Sequence, residues 1–287
     1  MKERIYDMKI MVTGAAGGYG HYAVDYVKQF APEAEVYGLV RNADDAAALE
    51  AKGIHACIGD YADKSSLVKA FEGIDRLLFV SVPVHDLQIN VVEAAKEAGI
   101  KYIAYTSIAD PQYSKFTLEV NHRQTEQLIK ESGIAYTILR DNWYTELISD
   151  FVKACIQTGR FPYFATEGKV AFALRREYAE AGARVITGEG YPEILTFAGT
   201  PVTFAELAEV AEEAGGKKLD VKVVTRDDFE KAFTDDEISP LGKMLGTNYQ
   251  DYALAGNNGE EDLSPKELER VLGHAISPLV EALIELI

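Results

Sequence analysis

Gly14, Gly17 and Gly20 stand three residues apart in Val12-Thr-Gly-Ala-Ala-Gly-Gly-Tyr-Gly20, after an apolar run and before an amphipathic one. In that context each glycine has a physical task. Gly14 lets the chain turn tightly out of a strand, Gly17 lets the backbone approach a pyrophosphate, and Gly20 permits close helix–strand packing. The N–H groups that open the next helix would then point at the anion. Ala15, Ala16, Gly18 and Tyr19 complete the loop and are assigned to the same site. The residue that closes the second apolar run separates the dinucleotides. An acid there accepts from the ribose hydroxyls of NAD, whereas a base pairs with the 2′-phosphate of NADP. The position holds Arg41, and no acid follows before Asp44. A planar guanidinium fork suits a phosphate, so the expected cofactor is NADP(H). After the third run, Asp60 either meets the adenine amino group or caps the next helix.

Positioning these residues requires strands that end where they begin. Apolar runs at 9–13, 36–40, 55–58, 76–80, 102–106 and 134–139 alternate with helical stretches at 19–30, 44–51, 65–71, 86–98 and 118–131. Continuous apolar strands alternating with helices imply a parallel sheet covered on both faces. The class is α/β, a Rossmann-type doubly wound sheet whose ligands bind at the carboxyl ends of the strands. The alternation weakens after Trp143. Beyond it, 176–186 reads as a helix, 193–197 as a strand, 203–214 as a helix with Thr203 and Glu206 as a capping box, and 221–224 as a strand. Pro265 and Pro278 open the last two helices. The expected organisation is a dinucleotide-binding domain over 1–146. A smaller mixed α/β substrate lobe over 147–287 packs on it, with some exchange of chain between the two.

Composition narrows the partners. Hydrophobic residues make up 47% of the 287 and charged residues 26%, the profile of a soluble globular protein. A net charge of −17 repels a phosphate backbone, which argues against nucleic acid. The charged start without an apolar segment argues against a signal peptide, and no apolar run spans a bilayer. Cys57 and Cys155 belong to no pair or cluster and read as reduced thiols of a cytoplasmic protein. The histidines have no metal-ligand spacing, so no metal is expected. Oligomeric state has no signature in the sequence.

Several segments together resemble the NmrA-like family of atypical short-chain dehydrogenases. They are Thr13 to Gly20, Val40-Arg-Asn42, Gly59-Asp-Tyr61, Ala94 to Ser107 and Ile138-Leu-Arg-Asp-Asn-Trp-Tyr-Thr-Glu146. The resemblance is nearest to the bacterial NADPH:quinone oxidoreductases of that family. It implies that Ser81 and Val82 pass beneath the cofactor ribose and phosphate, and that Thr106 and Ser107 face the nicotinamide end. It also implies that Asp141, Asn142, Trp143, Tyr144 and Glu146 line the nicotinamide and substrate cleft. Trp143 and Tyr144 offer flat apolar surface to an aromatic acceptor; as residues, Trp143 reads rather as core and Tyr144 as cleft.

One expected element is missing. Many short-chain dehydrogenases reduce ketones with a Tyr-x-x-x-Lys pair, and none of the 16 tyrosines has a lysine four residues on. The corresponding helix carries Asn121-His122-Arg-Gln-Thr-Glu126 instead. His122 is the candidate catalytic proton donor, with Glu126 one turn later to orient it. Hydride transfer survives without the tyrosine–lysine pair, because the cofactor carries that chemistry and a quinone gains aromaticity on reduction. The expected function is an NADPH-dependent reductase of a quinone or similar conjugated acceptor. The alternative is a non-catalytic NADP(H) sensor acting through a protein partner.

Overall fold

The computed structural model describes residues 8–287, in which the apolar runs are strands and the amphipathic stretches helices. In chain order these are β1 (Lys9–Val12), α1 (Gly20–Phe30), β2 (Glu35–Val40), α2 (Ala43–Ala51), β3 (His55–Ile58), α3 (Lys64–Phe71), β4 (Arg76–Phe79), α4 (His85–Ala98), β5 (Tyr102–Ile108), α5 (Leu118–Ser132) and β6 (Ala135–Asp141). There follow β7 (Trp143–Tyr144), α6 (Glu146–Thr158), β8 (Arg160–Tyr163), β9 (Val170–Ala173), α7 (Arg175–Thr187) and β10 (Ile194–Phe197). The chain ends with β11 (Pro201–Val202), α8 (Phe204–Gly215), β12 (Asp220–Val223), α9 (Arg226–Glu230), α10 (Pro240–Ala255), α11 (Lys266–Leu272) and α12 (Leu279–Leu286).

Two compact units divide the chain. The first holds the chain up to Asp141 together with 176–197 and 270–273; the second holds 142–175, 198–269 and 274–287. The break therefore falls at Asp141 rather than after Glu146. The reason is pairing: β7 lies parallel to β9, with Trp143 opposite Phe172. The stretch 176–197 also returns to the first unit, because β10 pairs with β6 as a further parallel strand, Leu195 opposite Leu139. The stretch 176–197, most of α7 with β10, thus belongs to the first unit.

The first unit is a seven-stranded sheet in the order β10-β6-β5-β4-β1-β2-β3. Its strands pair in parallel throughout. Strand order reverses between β1 and β4, so the crevice for a ligand opens beyond the carboxyl ends of these two strands. Met11, Leu77, Phe79, Val91, Ile103 and Tyr105 are fully buried on one face of this sheet. Burying each such side chain contributes about 1.5–3 kcal/mol, and that holds the strand ends in place. In the second unit, the segment after β7 is helical. It forms α6, which buries Ile148, Phe151, Val152 and Cys155. Two small sheets, β11-β9-β7 and β12-β8, complete that unit. No helix among the described residues is long and apolar enough to cross a membrane.

Candidate functional site

The glycine-rich turn leaves β1 through Gly14, whose φ of +59° favours glycine. The Gly17 N–H donates back to the Gly14 carbonyl at 2.8 Å, closing the turn. A Cβ on Gly17 would stand 3.1 Å from that carbonyl oxygen, whereas one on Gly20 would stand 2.1 Å from it. Gly20 thus lets the first turn of α1 rest on the loop itself, rather than on a strand as its spacing suggested. The contact that seats the loop on the sheet is made by Gly38 in β2. A Cβ there would meet Ala15 Cβ at 2.9 Å and Leu49 Cδ1 at 2.6 Å. Ala16 and Gly18 are exposed, and their N–H groups make no backbone hydrogen bond among the described residues. The first turn of α1 has no acidic residue and no side-chain cap, so its positive end is open to an anion. These features fit a pyrophosphate. Two loop residues have other duties. The Ala15 N–H donates to Leu39 O at 3.1 Å, and the Tyr19 hydroxyl donates to Tyr178 O at 2.9 Å. The side chain of Tyr19 belongs to the core, which corrects its assignment to the cofactor site as a side chain.

Arg41 follows β2 at the same end of the sheet. It is exposed, and its guanidinium has no partner among the described residues, leaving the fork free for a phosphate. Asp60 is exposed and accepts from Ala62 N at 2.9 Å. It does not cap the next helix: Asp63 is the N-cap of α3, accepting from Ser65 N and Ser66 N. Thr13 and Tyr61 lie in segments that carry the family resemblance but have no role assigned from the sequence, and they lock the crevice. The hydroxyl of the half-buried Tyr61 donates to Thr13 Oγ1 at 2.6 Å, and Thr13 Oγ1 accepts from Val80 N at 2.8 Å, tying β1 to the end of β4. Burial pushes the Tyr61 phenol well above its usual range.

β5 runs on to Ile108, so Thr106 and Ser107 lie inside it, and β6 runs to Asp141, which is therefore the last residue of a strand rather than part of the loop after it. Thr106 Oγ1 accepts from Ser81 N at 2.9 Å and fixes the loop after β4. Val82 N donates to Gln88 Oε1 at 3.3 Å. The Ser107 hydroxyl donates to Glu126 Oε1 at 2.7 Å. Arg140 also clamps that carboxylate, through Nε at 2.9 Å and Nη2 at 2.7 Å. Glu126 is thereby held below the ordinary carboxylate range despite its burial, chiefly by hydrogen bonds from Arg140 and Ser107. It does not orient His122, as its place one turn later suggested. His122 is buried with Nδ1 2.9 Å from the Tyr105 hydroxyl. Burial pushes the ring down to about 4, against the pull of Glu126 and Glu119. At that value the ring is neutral at pH 7, which counts against the proton-donor role expected from its sequence position.

Asp141 is buried, and neither carboxyl oxygen has a hydrogen-bond partner. Ile108 and Phe197 are its neighbours in the sheet. Burial alone raises its pKa well above 3.8, because an unpaired carboxylate is costly to desolvate. The folded chain then keeps a proton that the unfolded chain releases, so the stability due to this group is lost as pH rises from about 4. Asp141→Asn removes that slope. Urea denaturation is expected to show the variant gaining on the wild type progressively between about pH 4 and 7. Parallel pH profiles would contradict the buried neutral acid.

In the second unit, Trp143 is core. Its Nε1 donates to Glu260 at 3.1 Å, and its ring meets Tyr249 and Tyr252 edge-on at 5.4 Å and 5.6 Å. A ring held this way offers no flat face to an acceptor, which corrects its assignment to substrate. Asn142 is buried, donating to Ala171 O and to Glu260, both at 2.9 Å, while its Oδ1 has no partner. Glu146 accepts from Arg175 N at 3.2 Å and 3.1 Å and so covers the start of α7. Tyr144 is half-buried with the Arg175 guanidinium 5.0 Å over its ring, within cation–π range. Glu260, at the centre of these bonds, has no local sequence signature.

Comparison with known proteins places this geometry. A family model described as NAD(P)H-binding matches residues 14–156. Quinone oxidoreductase 2 of Escherichia coli is 33% identical over 96% of this chain and 98% of its own length. An NmrA-like family domain-containing oxidoreductase of Aspergillus flavus is 28% identical over 77% of this chain and 76% of its own. Among solved structures, the E. coli NADPH-dependent quinone oxidoreductase complexed with NADPH superposes with a TM-score of 0.83, 33% identity and coverage of 96% and 99%. The Citrobacter sp. triphenylmethane reductase superposes with a TM-score of 0.86, 30% identity and coverage of 97% and 99%. With 33% identity to a quinone oxidoreductase over nearly the full length of both chains and an NAD(P)H-binding family model matched from Gly14 onward, the chain belongs to the NmrA-like family of NAD(P)H-binding oxidoreductases.

Proposed function

We propose that this chain is an NADPH-dependent reductase that delivers a hydride to a quinone or a similarly electron-poor conjugated acceptor. The observation that carries the reading is the open glycine turn with the unpartnered Arg41 beside it, in a chain 33% identical to a quinone oxidoreductase over nearly its full length. Bound NADPH supplies the hydride, and the protein supplies binding and orientation. The N–H groups of Ala16 and Gly18 and the N-terminus of α1 receive the pyrophosphate, and Arg41 the 2′-phosphate. The loop at Ser81 and Val82, pinned by Thr106 and Gln88, forms the floor beyond β4. We assign the acceptor to the second unit, with Tyr144 as its half-buried aromatic surface. Water is the source of the proton that the acceptor oxygen gains, since His122 is neutral and the tyrosine–lysine pair is absent. Both cysteines are free thiols, which supports a reducing compartment such as the cytoplasm.

Arg41 gives the direct test of cofactor choice. Arg41→Asp is expected to weaken NADPH about 10- to 100-fold, the worth of one lost charge-assisted contact, and to leave NADH unchanged or tighter. Fluorescence titration with both cofactors measures it. Equal binding of the two by the wild type, unaltered in the variant, would remove Arg41 from the site.

A further inference from the structure

The buried hydrogen bonds around His122 run in one direction only, and that direction determines what the ring can do. Thr125 Oγ1 lies 2.9 Å from the Asn121 carbonyl, so its proton goes there. At Gln88, 2.9 Å away, Thr125 can then only accept, which turns the amide NH₂ of Gln88 toward Thr125 and Oε1 away from it. The Val82 N–H pointing at Oε1 agrees with this orientation. Tyr105 lies 3.1 Å from Gln88 Oε1 and must donate its single proton to it. No proton is left on Tyr105 for His122, so the short contact at 2.9 Å is His122 Nδ1–H donating to the phenol oxygen. The ring is the Nδ1–H tautomer, and Nε2 carries a bare lone pair.

Nε2 has no partner among the described residues, and it is not among the enclosed unpaired atoms. The ring keeps 8% of its surface exposed. His122 lies in the first half of α5, next to Asn121, whose side chain donates to Pro83 O in the loop after β4. That is the carboxyl end of the sheet, where the cofactor reading places the ligand.

We infer that His122 is a hydrogen-bond acceptor for a ligand hydroxyl, held in that polarity by the Tyr105–Gln88–Thr125 relay. Resting on the NADP(H) reading, this reverses the expected role of His122 from donor to acceptor. Two hydroxyls have the required chemistry, a ribose hydroxyl of the cofactor and the phenolic hydroxyl of a reduced acceptor.

Nitrogen-15 NMR of the imidazoles tests it, with the His122 signals identified by their loss in His122→Phe. In the free wild type, Nδ1 is expected protonated and Nε2 bare. A protonated Nε2 would overturn the inference whether or not any cofactor binds. Tyr105→Phe removes the acceptor and should move the proton to Nε2; a ring that keeps Nδ1–H would show that the relay does not set it. A shift of the Nε2 signal on adding NADPH, with the tautomer kept, identifies the ribose hydroxyl. A shift that needs benzene-1,4-diol added to the NADP⁺ complex identifies the phenol. His122→Phe should correspondingly weaken that same ligand about 3- to 10-fold, the worth of one neutral hydrogen bond. If NADPH binds and neither ligand moves Nε2, the acceptor role fails while the cofactor reading stands. If NADPH does not bind the wild type, it is the cofactor reading that fails.

Discussion

Gly17→Val is expected to leave a folded chain that has lost at least about a hundredfold in affinity for NADPH, the cost of two or more charge-assisted bonds to a pyrophosphate. The position separates binding from folding. A Cβ at Gly17 meets one carbonyl oxygen at 3.1 Å, a crowding that the exposed turn relieves by a small shift. The branched methyl groups beyond it occupy the space above the loop that a phosphate needs. Gly20→Ala is not equivalent, because its Cβ would stand 2.1 Å from Gly14 O and 2.6 Å from the carbonyl carbon, so the backbone itself must move. Circular dichroism and fluorescence titration check the Gly17 variant. A native spectrum with native affinity would remove the glycine turn from the cofactor site.

The largest loss of stability is expected at Glu260. Its carboxylate is fully buried and accepts from Asn142 Nδ2, Trp143 Nε1, Ala171 N and Tyr252 OH, at 2.9, 3.1, 2.8 and 2.7 Å. Each buried donor left unpaired costs about 1–3 kcal/mol, so Glu260→Ala should destabilise the second unit by at least about 3 kcal/mol. Urea denaturation followed by Trp143 fluorescence reads this unit directly, since the chain has 1 tryptophan. A loss below about 1 kcal/mol would mean that water replaces the carboxylate and that the hub is not structural.

What the sequence disclosed follows from the range of the interactions involved. The glycine turn, the parallel strands and Arg41 are local: periodicity and a short motif report them. Strand ends were misplaced because Ser107, Ile108 and Asp141 are joined to the sheet by pairing, not by their own propensity. That β10 joins the first sheet is not legible locally, because its partner, β6, lies 53 or more residues away in the chain. His122 illustrates the same limit. Helical spacing placed Glu126 one turn from it, yet the carboxylate turns to Arg140 and Ser107, and the ring to Tyr105. Glu260 left no trace, because a buried hub is defined by four partners scattered along the chain.

Reductase chemistry is tested most directly by NADPH absorbance followed in the presence of the protein and a panel of benzoquinones and naphthoquinones. Acceptor-dependent oxidation that saturates with acceptor is expected, because a bound acceptor must be held within reach of the hydride. Tyr144→Ala is expected to raise KM more than it lowers kcat. Tight binding of NADPH with no oxidation by any conjugated acceptor would contradict the account and leave an NADP(H) sensor in its place.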